Sequence, residues 1–375
     1  MNEPIRVLQV VAKMNRAGTE TMLMNYYRHI DRERVQFDFA VCTNEKCDYE
    51  DEIISLGGKI FRYPRYTGKN HFRYNKWWTQ LFDQHPEYRI IHGHIGSTAA
   101  IYLGMAKKRG LYTIAHSHGT KEPLSIRSLL YGFLSYRTRY IADWFFGCSM
   151  QAIIDRYGKK IALSNRAQVL NNAIDAKAYV YNEEVRREVR DELNLPNNLL
   201  VIGTIGRLTR QKNPTMILKI IKDLKEKGKE FRFIWVGVGE LQENIDNEIK
   251  KKGLQSEVMM LGLRNDVPRI LQAMDVFIFP SIWEGLGIVA VEAQAAGLPT
   301  LCSDKVPSEA KVTNLCKFIS IDSTEPWIEE IEKETGRIRI VTTEDIISNK
   351  FDICNQSSWL QNFYANIFCN KNSRF

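Results

Sequence analysis

The chain has 375 residues, enough for two or three domains, and its 44% hydrophobic and 26% charged residues are typical of a soluble globular protein. No apolar run is long enough to span a bilayer, and the N-terminal MNEPIRVLQVVAK lacks the charged start and long apolar core of a signal peptide. The seven cysteines lack C-x-x-C spacing, which favours reduced thiols in a cytoplasmic protein and argues against a disulfide framework or a zinc site.

The formal net charge of +8 favours anionic partners: phosphorylated substrates, anionic lipid or nucleic acid. Nucleic acid is the weaker choice, because the sequence has no zinc finger, RRM signature or long Lys/Arg block. A nucleic-acid binder would rest on net charge alone, and it would bind DNA or RNA with strong salt dependence.

Short β-branched runs alternate with helical periodicity, the pattern of an α/β protein with parallel sheets. The predicted strands of the first half are IRVLQVV, VQFDFAVC, KIFRYP, YRIIHGH, LYTIAHSHGT and ADWFFGCS. A Gly-containing turn follows the first strand, and a helix is predicted from about Thr21 to Ile30. This half ends near AQVLNNAID, where the Asn-Asn pair predicts a turn.

The same pattern begins again at NLLVIGTIGRL, where Asn213 and Pro214 are suited to the N-cap and first position of the next helix. The later predicted strands are FRFIWVG, VMMLG, VFIFPS and PTLCS, and the helices are TMILKIIKDLKEKG, LQENIDNEIKKKG, VPRILQAM and GIVAVEAQAA. We therefore predict two Rossmann-like domains, 1–175 and 176–355, joined by a charged linker between about Asn172 and Pro196 with a helix in its second half. Ligands of such sheets bind beyond the carboxyl ends of the strands.

The stretch PSIWEGLGIVAVEAQAAGLPTL combines a strand end, a glycine turn and a helix with two carboxylates, Glu284 and Glu292. Gly285 and Gly287 allow a tight turn, and a helix beginning near Leu286 or Gly287 leaves N–H groups that suit a phosphate. Glu292 lies about 7 to 8 Å along the helix from Gly287, the span from a diphosphate to the ribose of the same nucleotide. Glu284 is then placed to bind hydroxyls beyond the diphosphate. In the alternative interpretation, one glutamate is an exposed loop residue and the other pairs with a lysine.

These motifs resemble those of a known family. EGLGIVAVE is similar to the E-x7-E motif of the retaining GT-B glycosyltransferases of family 4 (glycosyl transferases group 1), and TIGRLTRQKNP resembles their G-R-L-x-x-x-K-N loop. MLGLRNDVPRIL and TIAHSHGT also fit, whereas the G-G-x-E loop stands here as AGTE at 17–20. The resemblance is nearest to bacterial exopolysaccharide and capsule transferases.

The resemblance implies a GT-B fold, in which two Rossmann-like domains with parallel sheets face each other across a cleft. Domain 1–175 would bind the acceptor and 176–355 the nucleotide-sugar donor, and a C-terminal helix at about 356–375 would pack back on the first domain. It also implies catalysis without a metal or other cofactor, which agrees with the lack of a chelating D-x-D pair.

By the same resemblance, Arg207 and Lys212 hold the donor diphosphate, where two cations offset the charge that develops on it. The alternative is that both are solvated loop charges. The implied catalytic residues are His118, Glu284, Arg207 and Lys212.

The donor site implied by the resemblance spans both domains, and Gly18 in it would give backbone access or belong to an ordinary turn. Leu263 and Arg264 would meet the base through their backbone. VGVGE lacks the third Gly of a dinucleotide fingerprint, so Gly237 is interpreted as part of a turn lining the donor site. The full implied donor set is Gly18, Gly206, Arg207, Lys212, Gly237, Leu263, Arg264, Glu284, Gly285, Leu286, Gly287, Ile288 and Glu292.

The histidine near the reacting sugar is implied to be His118, and His116, two residues earlier on the same predicted strand, is the alternative. His92 and His94 end another predicted strand and are candidates for the acceptor side. In the structural interpretation, each is a satisfied polar group at a strand end.

The predicted function is transfer of a sugar from a nucleoside diphosphate sugar, by family preference a UDP-sugar, to a glycan or polyprenyl-linked acceptor with retention. The alternatives are a nucleotide-sugar epimerase, which consumes the donor without an acceptor, and a non-enzymatic nucleotide-sugar-binding protein. YTGKNHFRYNKWW and IRSLLYGFLSYRTRYIADWFF interleave basic and aromatic residues, which suits the anionic inner face of the cell membrane or, alternatively, aromatic core packing surrounded by solvated charges.

Overall fold

The computed structural model describes residues 3–119, 132 and 134–372. The chain divides into two compact units, one formed by Met1–Ile174 with Lys350–Phe375 and the other by Asp175–Asn349. Each unit contains a parallel β-sheet and helices, so the predicted α/β class is confirmed. No helix in the described ranges combines the length and apolar character needed to cross a membrane.

The first unit has a seven-stranded sheet in the order β3-β2-β1-β4-β5-β6-β7. Its strands are β1 (Ile5–Val11), β2 (Val35–Val41), β3 (Ile60–Arg62), β4 (Ile90–Gly93), β5 (Tyr112–Ser117), β6 (Trp144–Gly147) and β7 (Ala167–Val169). The helices described in it are α1 (Gly18–His29), α2 (Glu50–Ser55), α3 (His71–Gln84), α4 (Ala99–Lys108), α5 (Thr138–Ile141), α6 (Met150–Tyr157), α7 (Lys159–Ala162) and a C-terminal helix (Ile353–Asn372).

The C-terminal helix belongs to the core of the first unit although it comes last in the chain. It returns after a parallel bridge between Ile174 and Asp352, and it packs on α1, β1 and β2. Leu360, Tyr364 and Ile367 are buried in the same cluster as the strand residues. The apolar face of this helix therefore covers one side of a sheet whose central strands are buried on both faces, as parallel sheets require.

The second unit has a six-stranded sheet in the order β10-β9-β8-β11-β12-β13. Its strands are β8 (Leu200–Ile205), β9 (Phe231–Val236), β10 (Val258–Gly262), β11 (Val276–Phe279), β12 (Thr300–Ser303) and β13 (Cys316–Ile319). Its α-helices are α8 (Glu183–Glu192), α9 (Pro214–Glu226), α10 (Gln242–Lys251), α11 (Val267–Ala273), α12 (Ile288–Ala295), α13 (Glu325–Glu334) and α14 (Thr343–Ser348).

Strand order reverses once in each sheet, between β1 and β4 in the first unit and between β8 and β11 in the second. The loops that leave the carboxyl ends of neighbouring strands diverge at such a switch point and open a crevice for ligands. The two switch points are therefore where functional side chains are expected.

Some local predictions differ from the structure. The helix predicted from about Thr21 begins at Gly18, and the edge strand β7 forms at 167–169, where only the end of the first half was predicted. The strand β13 was not predicted either. β7 has three residues and β13 has four, and both are edge strands. Such short strands form by pairing with a neighbouring strand and need no long apolar run.

The structure describes all of the first basic and aromatic segment, 66–78, and part of the second, 126–146. In the first, Tyr74 and Trp78 are fully buried, as core packing predicts, although Phe72 is 88% exposed. In the second, residues 126–131 and 133 lie outside the described residues, while Tyr136 and Tyr140 are exposed. Core packing thus explains the buried aromatics of the first segment, and the surface prediction for the second stays a prediction.

Candidate functional site

The switch point of the second unit brings two loops side by side. Strand β8 leads into the loop that carries Lys212, and β11 leads into the loop that carries Glu284. The Lys212 ammonium lies 2.6 Å from the Glu284 carboxylate, and the two side chains are only 17% and 7% exposed. The Lys212 Nζ also lies 4.4 Å from the centre of the Phe279 ring. A half-buried cation is therefore fixed at the carboxyl end of the sheet.

Gln211, the residue before Lys212, connects the same two loops through hydrogen bonds. Its side-chain amide donates to Glu284 at 3.1 Å and to the carbonyl of Trp283 at 3.0 Å, and its own carbonyl accepts from the Ile282 N–H at 2.8 Å. These bonds orient the Glu284 carboxylate. Sequence reasoning missed Gln211, whose only signal was its position between two predicted basic ligands.

Glycines allow the backbone of these loops to approach closely. A Cβ on Gly237, whose φ is 137°, would lie 2.1 Å from the Gly206 carbonyl oxygen, and a Cβ on Gly206 would lie 3.1 Å from the Lys212 side chain. The loops after β8 and β9 thus pack backbone to backbone, and no larger residue fits at Gly237 without moving them. The predicted turn at VGVGE therefore packs against Gly206, which lies beside the Lys212 side chain.

The start of helix α12 completes this corner. Gly287 is its N-cap with φ of 86°, in the left-handed region that favours glycine, and a Cβ there would lie 2.9 Å from the Phe279 ring. Gly287 and Lys212 thus adjoin the same aromatic ring. Gly287 has no side chain to cap the helix, so the first-turn N–H groups remain suited to an anion. Among its neighbours in the motif, Leu286 is buried and Ile288 begins the helix.

Glu292 lies in the second turn of α12 and is partly buried. Burial raises its pKa to about 7, although a hydrogen bond with Tyr179 opposes the shift. Glu292 therefore pairs with a tyrosine rather than a lysine, and near neutral pH its carboxyl group exchanges between the neutral and ionised forms. Tyr179, in the short 3-10 helix Ala176–Tyr179, was missed because it is distant in sequence.

The remaining predicted donor residues have different surroundings. Arg207 is exposed, and its guanidinium makes neither a hydrogen bond nor an ion pair within the described part of the chain. Leu263 is 64% exposed. The Arg264 guanidinium is bound to Asp266 at 2.8 Å and to Glu192 at 3.0 Å, which leaves mainly its backbone for a ligand. In the first unit, Gly18 begins α1 with open space around it.

At the carboxyl ends of β4 and β5 in the first unit, four histidines form a block. His92 and His94 come from β4 and the residue after it, and His116 and His118 from β5 and the residue after it. Ring centroids lie 4.0 Å apart for His116 and His118 and 4.4 Å apart for His92 and His94. His116 and His118 face the same side, as predicted from their spacing.

Hydrogen bonds connect this histidine block to two residues that sequence reasoning missed. His94 Nδ1 lies 2.7 Å from His118 Nε2, and His94 Nε2 lies 2.9 Å from the Gln9 side-chain oxygen. His92 Nδ1 lies 2.7 Å from the Tyr364 hydroxyl. A glutamine in the apolar run IRVLQVV was a usable signal, whereas Tyr364 of the C-terminal helix gave none.

Burial keeps the histidine block neutral. It lowers the pKa of His118 to about 3, and it lowers the pKa values of His92, His94 and His116 well below the ordinary value. At physiological pH each ring therefore has one N–H and one lone pair. The block can accept hydrogen bonds or bind an ion without first losing a proton.

Comparison with known proteins places these observations in a family context. Residues 185–317 match the family model described as glycosyl transferases group 1. EpsF of Bacillus subtilis (strain 168), which is named as a glycosyltransferase, is 31% identical over 336 residues, or 88% of this chain and 87% of EpsF. The Escherichia coli UDP-Gal:alpha-D-GlcNAc-diphosphoundecaprenol alpha-1,3-galactosyltransferase is 25% identical over 305 residues, or 76% of this chain and 77% of that enzyme.

A solved structure supports the fold. HepE (Alr3699) of Anabaena, crystallised in complex with UDP and glucose, is similar with a TM-score of 0.78 at 16% identity, covering 96% of this chain and 100% of HepE. Together with the two parallel sheets, this likeness confirms the predicted GT-B fold.

Proposed function

The chain belongs to the glycosyl transferases group 1 family, and we propose that it transfers a hexosyl group from a UDP-sugar to a glycan or lipid-linked acceptor with retention of anomeric configuration. It is a glycosyltransferase of the type found in polysaccharide biosynthesis. The observation that carries the finer proposal is the Lys212–Glu284 pair beside the uncapped start of α12.

The donor diphosphate binds at this corner in the proposal. The N–H groups of the first turn of α12, the Lys212 ammonium and the exposed Arg207 guanidinium supply positive charge, which stabilises the nucleoside diphosphate as it leaves. These groups do the work that a metal ion does in other transferases, so we propose that diphosphate departure requires no metal.

The two glutamates bind the sugars on either side of the diphosphate. Glu292 accepts hydrogen bonds from the ribose hydroxyls, for which its ionised form is the better acceptor. Glu284, oriented by Gln211 and Lys212, binds hydroxyls of the transferred hexose. Both contacts place the anomeric carbon for attack, and positioning of this kind supplies much of the rate enhancement in a transfer reaction.

In the proposed single-step route to retention, the acceptor attacks the face from which the diphosphate leaves. The bond between the anomeric carbon and the diphosphate oxygen breaks, and a bond forms from that carbon to the acceptor oxygen. The acceptor proton passes to the departing diphosphate, so no protein nucleophile is needed. His118 lies near the reacting sugar in this scheme, where its neutral ring accepts a hydrogen bond from a sugar hydroxyl.

The names of two similar proteins support the choice of substrates. HepE was crystallised with UDP and glucose, and the E. coli galactosyltransferase is named for UDP-Gal and a diphosphoundecaprenol-linked acceptor. We therefore propose a UDP-sugar donor, a polyprenyl-linked acceptor, and a cytoplasmic site of action at the inner face of the membrane. The net charge of +8 is suited to an anionic lipid surface.

Calorimetric titration with UDP, GDP, ADP and NAD, without added metal, tests the donor site. We expect UDP to bind the wild type and to lose affinity in Glu292→Ala, whereas Glu243→Ala, on the exposed face of α10, leaves affinity unchanged. Absence of binding by any nucleoside diphosphate would overturn the proposal. If the protein consumes UDP-glucose in the absence of an acceptor and releases no glucose by hydrolysis, the activity is that of an epimerase instead.

A further inference from the structure

We propose that His92, His94 and His116 bind one divalent transition-metal ion of the zinc class, with His118 next to its fourth coordination position. One ligand nitrogen from each of the three histidines can be chosen so that all lie within 4.8 Å of one another. Because the strands are parallel neighbours, the fold itself brings both His-x-His pairs to the same edge of the sheet.

Four buried ring nitrogens of the histidine block have no hydrogen-bond partner among the described residues. His92 Nε2, both ring nitrogens of His116 and His118 Nδ1 are buried and make no hydrogen bond in the described structure. Each such group costs about 1–3 kcal/mol, and native proteins seldom leave several together without a bound water or ion. A metal ion would use the lone pairs that nothing else in this block uses.

Neighbouring side chains hold the opposite nitrogens of His92 and His94. Tyr364 fixes His92 Nδ1, which leaves Nε2 for an ion, and Gln9 fixes His94 Nε2, which leaves Nδ1. Metal-binding histidines are commonly oriented in this way, by a hydrogen bond on the nitrogen that does not face the metal. An ion at His94 Nδ1 would replace the present contact with His118.

The ligand atoms of the block determine the type of ion that it can bind. The block offers neutral imidazole nitrogens and no carboxylate, a ligand set that suits Zn²⁺, Co²⁺, Ni²⁺ or Cu²⁺ and not Mg²⁺ or Ca²⁺, which require oxygen.

The present ring arrangement requires one adjustment. The His92 and His116 rings lie nearly parallel, with 15° between their planes and 5.3 Å between centroids, whereas metal ligands converge on one point. His116 breaks no hydrogen bond when its ring rotates, because neither of its nitrogens has a partner. Metal binding would therefore reorient His116 most and leave the anchored rings of His92 and His94 nearly in place.

Metal binding is tested on the full chain with its purification tag removed. The chelator-stripped protein is titrated with Co²⁺ and followed by visible absorption, and then with Zn²⁺ by calorimetry. We expect one tightly bound ion per chain, the intense absorption of tetrahedral Co²⁺, and displacement of Co²⁺ by Zn²⁺. Binding of no ion, or of Mg²⁺ as tightly as Co²⁺, would overturn the proposal.

Matched histidine variants locate the ion. His116→Gln should weaken Co²⁺ binding at least tenfold, whereas His29→Gln, which changes an exposed histidine on α1, should leave binding unchanged. UDP affinity is measured on the same samples and reports whether the second unit remains folded. We expect UDP affinity to be independent of this metal site. Equal Co²⁺ affinity in wild type and His116→Gln would contradict the assignment. If His116→Gln does not fold, His94→Gln and the wild-type stoichiometry decide the question.

Discussion

The two sites lie at strand ends near the switch points of their sheets, and they differ in electrostatics. In the second unit, the loops after β8 and β11 hold a largely buried ion pair, and α12 carries Glu292, whose pKa is raised by burial to about 7. In the first, the neighbouring strand ends of β4 and β5 hold four neutral imidazoles whose pKa values are lowered by burial. The fold therefore determines where a site forms, and the side chains at the strand ends determine its chemistry.

The difference agrees with a division of tasks. A charged corner suits a diphosphate. The diphosphate carries more negative charge after the sugar has been transferred than it carries in the nucleotide-sugar donor, and the site must hold both forms. Neutral imidazoles suit uncharged hydroxyls or a divalent transition-metal ion, because they offer lone pairs without attracting an anion. The two regions should consequently respond in different ways to substitution and pH.

The largest effect is expected at Lys212. Lys212→Met should lower kcat about 10²–10³-fold, because the departing diphosphate loses a positioned cation. The free energy of unfolding should also fall by about 3 kcal/mol, since the buried Glu284 carboxylate then loses the cation of its ion pair. Steady-state kinetics well below the melting temperature measure the first effect, and urea unfolding measures the second.

The matched control for Lys212 is Lys222→Met in α9, which breaks only an exposed ion pair with Glu226. Its unfolding free energy should change by less than about 1 kcal/mol and its kcat should not change. Full activity of Lys212→Met would remove the charged corner from the mechanism.

A smaller effect with a distinct pH signature is expected at Glu292. Burial raises its folded-state pKa to about 7, above the value in the unfolded chain, so its favourable contribution at low pH is lost as pH rises through 7. Glu292→Gln avoids that cost. The variant should match wild type near pH 4 and exceed its unfolding free energy by about 3 kcal/mol at pH 8, while binding UDP less tightly.

Calorimetric melting of both proteins at several pH values between 4 and 8 measures this divergence. Glu243→Gln, an exposed glutamate of α10, should run parallel to wild type throughout. A stability difference between Glu292→Gln and wild type that does not vary with pH would show that Glu292 is not a buried titrating group.

The smallest effect is expected in the neutral region. Tyr364→Phe removes the hydroxyl that contacts His92 and leaves two buried groups without a partner, so unfolding free energy should fall by about 1–2 kcal/mol. UDP affinity should not change, because the donor corner belongs to the other unit. Tyr140→Phe, at an exposed tyrosine of α5, is the control and should have almost no effect on urea unfolding. A loss of UDP binding in Tyr364→Phe would contradict the separation of the two regions.

Local sequence determined much of this molecule. The short β-branched runs predicted the central strands, Asn213 and Pro214 predicted the start of α9, and Gly287 predicted the start of α12 to within a residue or two. These features are local because strand burial, capping and left-handed glycine geometry depend on a few neighbouring residues. The sequence likewise shows charged residues at positions 212, 284 and 292, where a buried turn and helix do not require a charge.

Only the tertiary structure decided how those residues are paired. Lys212 and Glu284 were predicted as separate ligands, but the folded sheet places them 2.6 Å apart and joins both to Gln211. His92 and Tyr364 are 272 residues apart in the chain and meet because the C-terminal helix returns to the first unit. No local pattern encodes such contacts, since they depend on strand order and on which distant helix covers the sheet. The sequence by itself thus determined the elements and the chemistry available, and the tertiary structure decided which groups act together.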